Sequence, residues 1–286
     1  AYMMQEPPSW SGQFGAVVPT GMMQAKFPLS VMQTAFAEFE GSNRFRSFGE
    51  GRFTVDVVEY DDGIAAPLKE LQLNVYALRK WAGAPDRWRK AEGRLRNKKI
   101  AALLEAGIGA GTCPVDGKAF FATDHPANLD DVSLGSFSNY NSTGLAPTVT
   151  NIKAEITSMM GVLDENGDKL DIEPTHILLP TEKYWGTKAD LMQQRLASGE
   201  DNPLYGVLTP VHVPELTDVN DWYLVDSNLA AEIDPWIDLV HTGGEMRTYD
   251  ENSSRYKDTG KVAVSKHVWH GYSLAFPHAI RKVVGA

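Results

Sequence analysis

Cysteine is almost missing from this 286-residue chain: Cys113 is the only one. A single thiol makes no internal disulfide, cannot build a thiolate-rich zinc site, and suits a reducing compartment, so stability has to come from packing or from neighbouring subunits. Long apolar runs are missing too. Nothing approaches the ~20 residues that a membrane helix needs, and 43% hydrophobic with 22% charged residues predicts a soluble globular chain rather than a disordered one. The opening AYMMQEPPSW lacks the basic start and apolar core of a secretory signal. Its Ala start is read as loss of an initiator Met, with maturation cleavage as the other reading. Basic charge is scarce, 27 Lys and Arg against 37 Asp and Glu for a net −10, which argues against wrapping nucleic acid tightly. Neither an internal repeat nor a low-complexity run is present.

Enzyme signatures are equally thin. There is no Gly-x-Ser-x-Gly elbow. The glycine-rich GIGAG at 107–111 follows a helix where a phosphate loop should follow a strand, and no Gly-Lys-Ser/Thr closes it. It reads as a helix stop.

What is present is enough apolar content to bury roughly three quarters of the unfolded surface, in one large or two modest cores. Charge is uneven. Arg79, Lys80, Arg87, Arg89, Lys90, Arg94, Arg96, Lys98 and Lys99 stand against only Asp86 and Glu92, leaving +7 in this run and −17 in the rest of the chain. Such complementarity favours contacts between copies of one chain. A nucleic-acid helix is the rival reading, but only Trp81 and Trp88 interleave the run, a poor stacking platform.

Residues 1–44 carry Met and Phe without a sustained period, except for helical spacing of Leu29, Met32, Phe36 and Phe39 over 29–39. Two readings stand: an arm burying its apolar residues elsewhere, or a strand and helix tucked into the chain's own core. Phe53, Val55 and Val57 alternate with polar residues as a half-exposed strand does. Gly49 and Gly51 at one end and the Asp61-Asp62-Gly63 turn signal at the other suggest a hairpin-like excursion. After Pro67, the spacing of Leu68, Leu71, Val75 and Leu78 predicts a helix ending near Gly83, with a strand over LQLNV in competition.

Pro85 and Asp86 open a second helix of about 20 residues, ~30 Å long. Its apolar stripe is read as Trp88, Ala91, Leu95 and Ala102, widened by Ile100, Leu103 and Leu104, with Gly107 past its end. Residues 107–147 read as long loop with brief strands. Thr148 or Thr150 caps a helix carrying Ile152, Ile156, Met159, Met160 and Leu163. A short buried strand over THILLP and a helix over 181–197 follow. GVLTPVHVPEL and DWYLVD read as two strands of one layer, and KVAVSKHVWHGYSLAFP as an antiparallel pair broken at His270-Gly271. The plan is α+β with two lobes.

The best case for chemistry is FFATDHPANLDD. Asp124, His125, Asp130 and Asp131 are donor types for a divalent metal, yet they match no helical ligand spacing, and Asp, Asn and Pro are also what a turn needs. The favoured reading is a solvated loop. His176, His212, His241, His267, His270 and His278 mostly alternate with apolar residues in expected strands and read as packing residues. Cys113 as a nucleophile would need an activating histidine nearby. Asp61 and Asp62 lack partners identifiable by spacing, and Asp234-Pro235-Trp236 reads as a turn with an aromatic plug. No residue is assigned a catalytic, cofactor-binding or metal role.

Three stretches, TSMMGVLDENGDKLDIEPTHILLPTEKYW, NPLYGVLTPVHVPELTDVNDWYLVD and FFATDHP, occur in the same order in a known family. With them the chain resembles the major head subunits of Mu-like tailed phages, the gpT family, over about 100–286. Before residue 100 only element order supports the likeness. The resemblance implies the Hong Kong 97 phage capsid fold. Its parts would be an N-terminal arm (1–44), an extended loop (45–66), a peripheral domain with the spine helix (67–147 and 241–286) and an axial domain (148–240). It implies a non-enzymatic major capsid protein of the virion, without cofactors, that self-assembles in the host cytoplasm as pentamers and hexamers. The closed icosahedral shell would enclose double-stranded DNA, touched weakly and non-specifically. Scaffold, portal and decoration proteins would be partners, and no membrane is involved. An encapsulin-type compartment shell and a soluble metal-dependent hydrolase using Asp124 and His125 are the rival classes.

Overall fold

The computed structural model describes residues 9–28, 52–129, 131–164, 167–196, 198–228, 234–242 and 244–286. The helical spacing at 29–39, the punctuating Gly49 and Gly51, and Asp130 lie outside these residues. In chain order the elements are β1 (Ala16–Thr20), β2 (Gln24–Pro28), β3 (Arg52–Asp56), β4 (Val58–Pro67), α1 (Leu68–Leu73), α2 (Val75–Ala82) and α3 (Ala84–Ala106). Then come β5 (His125–Pro126), β6 (Ser136–Phe137), β7 (Tyr140–Asn141), α4 (Val149–Met159), β8 (His176–Leu179), α5 (Thr181–Met192), β9 (Thr209–His212) and β10 (Trp222–Val225). β11 (Trp236–His241), β12 (Glu245–Tyr249), α6 (Ser254–Thr259), β13 (Lys261–Leu274) and β14 (Ile280–Val283) complete the chain.

Two five-stranded sheets organise this α+β fold. The first runs β1-β11-β13-β12, with β4 on the flank of β13; the second runs β7-β14-β10-β8-β9. Strand β13 is the seam of the first sheet. It pairs antiparallel with β4 from Lys261 to His270, with β12 around Ser265, and with β11 from His270 to Leu274. In the second sheet, β8 and β10 are central, and their alternate residues face opposite ways. Ile177, Leu179, Trp222 and Leu224 join one core with Ile152 and Met159 of α4 and Leu191 of α5. Leu178, Tyr223 and Val225 join the other with Ile100, Ala101 and Leu104 of α3. Burial on both faces explains why ILL at 177–179 and WYLV at 222–225 are unbroken apolar runs.

The break expected at His270-Gly271 is absent: β13 continues through it. Gly271 is there for close approach, since a Cβ at this position would stand 2.5 Å from the Asp56 carbonyl oxygen. The turn expected at Asp61-Asp62-Gly63 is also absent, because β13 supplies a ladder partner to every residue of β4. The helix over 68–82 breaks at Asn74, whose side chain accepts from the amides of Tyr76 and Ala77 at 3.0 and 3.3 Å and so starts α2. The competing strand over LQLNV does not form. α5 ends at Met192, five residues before the expected 197.

The 23-residue α3 has Pro85 in its first turn and Gly107 as C-cap, and Thr148 caps α4 by accepting from the Asn151 amide. The buried stripe of α3 differs from the one expected. Ala91 and Ala102 are exposed, while Arg96 and Asn97 are buried. The reason lies at the other end of the chain: Ser9 and Ser11 hydrogen-bond to Asn97, and Trp10 and Phe14 are buried in the α3 core. Residues 10–14 therefore pack on their own chain, and Trp236 Nε1 donates to the Ser11 carbonyl at 2.9 Å. No helix among the described residues is long and apolar enough to cross a membrane.

Gly271→Ala is expected to cost about 1–3 kcal/mol, the usual range for forcing atoms into a packed site. Urea denaturation reads it, with Gly186→Ala as control: a Cβ there meets nothing within 4 Å, and the helix should hold or gain stability.

Candidate functional site

Helix α3 meets the first sheet through charge. Arg96 forms an ion pair with Asp238 of β11, close but without hydrogen-bond alignment at Nε. His270 bridges Asp238 Oδ1 through Nδ1 at 3.0 Å and Glu92 Oε1 through Nε2 at 3.3 Å, and Lys266 donates to Glu92 Oε2 at 2.5 Å. Arg96, Asp238 and His270 have side chains at most 4% exposed. Burial pushes the Glu92 carboxyl up, but the hydrogen bonds and charges of His270 and Lys266 outweigh it and hold it at about 2. Burial pulls His270 down, and Asp238 and Glu92 more than reverse that, so its pKa is raised.

The basic run is thereby split. Arg96 serves the interior, Lys99 lies over the Tyr60 ring, and Arg79, Lys80, Arg87, Lys90, Arg94 and Lys98 remain exposed. Beside them, a cleft of about 250 Å³ between α3 and the β4–β13 ladder is lined by Asp61, Asp62, Trp88, Glu92 and Lys266, among others. Asp62 does have a partner: Trp88 Nε1 donates to its Oδ2 at 2.9 Å.

The FFATDHPANLDD stretch separates into a buried and a solvated part. His125 is buried, with Nδ1 2.7 Å from Asp116 Oδ2 and Nε2 3.1 Å from the Phe120 carbonyl. The purely solvated reading is thus wrong for His125, because the ring fills a pocket stacked against Phe137. It holds for its neighbours: Asp124 is exposed and paired with Lys118, and Asp131 accepts from the Ser133 amide and hydroxyl. Of the residues weighed as ligands, the described Asp124, His125 and Asp131 form no cluster together. Instead Cys113, Asp116 and His125 place their donor atoms within 4.8 Å of one another. Asp116 was not singled out from the sequence. The available signal is the Cys-Pro-x-Asp-Gly turn, which brings positions three apart to the same side.

Burial pushes the Cys113 thiol up to about 12, so at neutral pH it is a thiol and not a nucleophile. Burial raises the Asp116 carboxyl, yet the hydrogen bonds from His125, the Lys118 amide and Cys113 prevail and leave it lowered.

The other histidines act in packing and pairing. His176 packs on Phe14, His212 contacts Thr181, His241 lies against Trp269, and His267 bonds Glu59 at 2.8 Å. His278 is held down at about 3, chiefly by burial. Trp236 is a buried plug as expected, though it opens β11, and burial raises Asp234 beside it to about 6.

Among the described residues, exposed apolar side chains gather on α1 and α2, neither of which has a fully buried residue. Leu73, Val75, Tyr76 and Leu78 are all more than half exposed, directly before the basic flank of α3. A second group, Trp185, Met192, Tyr205 and Val207, surrounds α5. Among the described residues β4 pairs only with β13, so its other edge is open. Exposed apolar patches and open strand edges of this kind mark surfaces made for protein contact.

Comparison with known proteins agrees with such a surface. The family described as "Phage capsid protein" matches residues 54–283. No curated protein matches. Among solved structures, the capsid of the cyanophage P-SCSP1u superposes with a TM-score of 0.62 at 8% identity, covering 100% of this chain and 90% of that one. The capsid of bacteriophage JBD30 gives 0.57 at 17% identity, covering 73% and 91%. The capsid of an empty GTA particle gives 0.54 at 12%, covering 100% and 94%. The shared fold is the Hong Kong 97 type.

Two outcomes follow from the electrostatics. Native Cys113 should not react with a thiol-specific disulfide reagent at pH 8 and should react fully in denaturant; rapid native labelling would contradict its burial. Glu92 has a depressed folded pKa, so its contribution is present above its ordinary 4.5 and fades as pH falls toward 2. The melting temperature of Glu92→Gln should therefore lie below that of the parent at pH 6, and the gap should narrow by pH 3.

Proposed function

This chain belongs to the phage capsid protein family, and from that premise we propose that its copies tile, as pentamers and hexamers, a closed icosahedral shell around double-stranded DNA. It is a capsid shell protein of the virion. The observation that carries the finer reading is the combination of a capsid fold that covers the chain with helices α1 and α2, none of whose residues is fully buried on its own subunit. An acidic wall, net −10, holds packaged DNA weakly and leaves it free to enter and exit. The role is structural and needs no catalytic group; assembly takes place in the host cytoplasm, with scaffold, portal and decoration proteins as partners.

Within the family, the three ordered motifs favour the Mu-like gpT head subunits. Their plan assigns an arm to 1–44, an extended loop to 45–66, a peripheral domain to 67–147 and 241–286, and an axial domain to 148–240. Two pairings support adjusting its edges. Strands β2 and β3 pair with Pro28 opposite Arg52, which supports an excursion spanning the intervening 29–51, with residues 58–66 given to the peripheral sheet. Pairing of β14 with β10 supports counting Ile280–Val283 with the axial layer.

Replacing 29–51 by a short Gly-Asn turn tests the loop, since the β2–β3 pair can close over it. The variant should unfold in one cooperative thermal transition, as the parent does, and yield no closed shells by negative-stain microscopy, whereas the parent yields shells. Normal particles from the deletion would refute the role of the loop. A parent that stays monomeric would refute shell building, and particles holding protein cargo instead of DNA would point to an encapsulin-type compartment.

A further inference from the structure

Residues 107–147 leave α3 as a long segment in which, among the described residues, the only regular pieces are three two-residue strands and one turn of 3-10 helix. A segment of that length inside a packed fold needs an anchor of its own. At its start Cys113-Pro114-Val115-Asp116-Gly117-Lys118 forms a tight knuckle. The Gly117 amide donates to the Cys113 carbonyl at 3.1 Å and the Cys113 amide to the Lys118 carbonyl at 3.0 Å. Gly117 turns the chain at φ +72, in the left-handed region that glycine favours. From the far end of the hairpin-like return, β5 brings back His125.

These three side chains are prepared as ligands. Sγ, a carboxylate oxygen and an imidazole nitrogen converge within 4.8 Å, all in the interior: Cys113 is 1% exposed, and the side chains of His125 and Asp116 are 2% and 4% exposed. Two of them also have an outer partner: the Lys118 amide donates to Asp116 Oδ1 at 3.0 Å, and His125 Nε2 meets the Phe120 carbonyl at 3.1 Å. A backbone carbonyl on one ring nitrogen is how proteins orient an imidazole whose other nitrogen ligates a metal. That leaves Nδ1 aimed at the centre of the cluster.

We propose that Cys113, Asp116 and His125 bind a zinc ion that pins the 107–147 segment beneath the end of α3. One sulfur, one nitrogen and one oxygen donor suit zinc, which takes four ligands in tetrahedral arrangement; a water supplies the fourth. Binding releases the Cys113 proton, so that the thiolate ligates. It also leaves His125 neutral, with its one proton on Nε2 toward Phe120. The site is structural and closed to substrate. Its loss should loosen the knuckle and β5, which precede β7 and the sheet that β7 joins.

The metal-free rival is a hydrogen-bonded triad in which Cys113 and His125 both donate to Asp116. Full-length untagged protein, produced in zinc-supplemented medium and dialysed into metal-free buffer without chelator, separates the two. Mass-spectrometric metal analysis should find about one zinc per chain in the parent and at least tenfold less in His125→Ala and Cys113→Ser. Replacing zinc by cobalt(II) should give the parent a thiolate-to-cobalt charge-transfer band that Cys113→Ser lacks. Because the parent alone suffices, variants that fail to fold do not obscure the result. Folded parent protein with less than about a tenth of a zinc per chain and no thiolate-to-cobalt band overturns the proposal in favour of the triad. Shell formation is scored separately by microscopy, so failure of the metal site leaves the capsid assignment standing.

Discussion

Seating a charged helix against a sheet is the constraint on which the rest of this structure depends. α3 turns Glu92 and Arg96 inward, toward Asp238 and His270 at the crossing of β11 and β13. Removing charges from water costs several kcal/mol each unless every one is paired, and losing one partner strands the others. Helix, β11 and β13 are therefore held in one register, because a slip along the helix would unpair the whole set. The same logic recurs in the second sheet, where neighbouring residues of β14 make separate buried pairs, Arg281 with Glu155 and Lys282 with Asp221. Apolar packing supplies the drive to fold; these pairs select which packing is reached.

That division explains what could be read in advance. Elements whose signal is apolar and local were legible: α3 with its Pro start and Gly stop, α4 with its Thr148 cap, and the unbroken strands β8 and β10. Those settled by distant partners were not. β4 carries Asp61, Asp62 and Gly63, a sound turn signal that is overruled by ten ladder partners in β13. Gly271 resembles a turn residue until β3 is seen crossing over it. The inward face of α3 was misplaced because Arg96 and Asn97 are polar, and only the N-terminal segment and β11 make their burial favourable.

The candidate site was half legible. FFATDHP was the right neighbourhood, but Asp124 and Asp131 face water, and the companions of His125 come from a knuckle upstream. Asp116 differs from the other aspartates only in being three residues after Cys113 with glycine following, a pattern whose meaning is geometric. The charged and apolar surface around α1 to α3 was legible through composition: the basic run is exposed apart from Arg96 and the half-buried Arg89, and exposed apolar residues lie immediately before it, on α1 and α2.

Strand β14 lies between β7 and β10, in the interior of the second sheet. Every other strand of that sheet precedes it in the chain, and Ile280 packs in the same core as Trp10. The sheet therefore cannot close on the ribosome until residues 280–283 have emerged, and such long-range pairing folds slowly. In a chain stopped short of residue 280, β7 has no partner in this sheet and β10 keeps an open edge, so the two halves of the layer are joined only by the last strand.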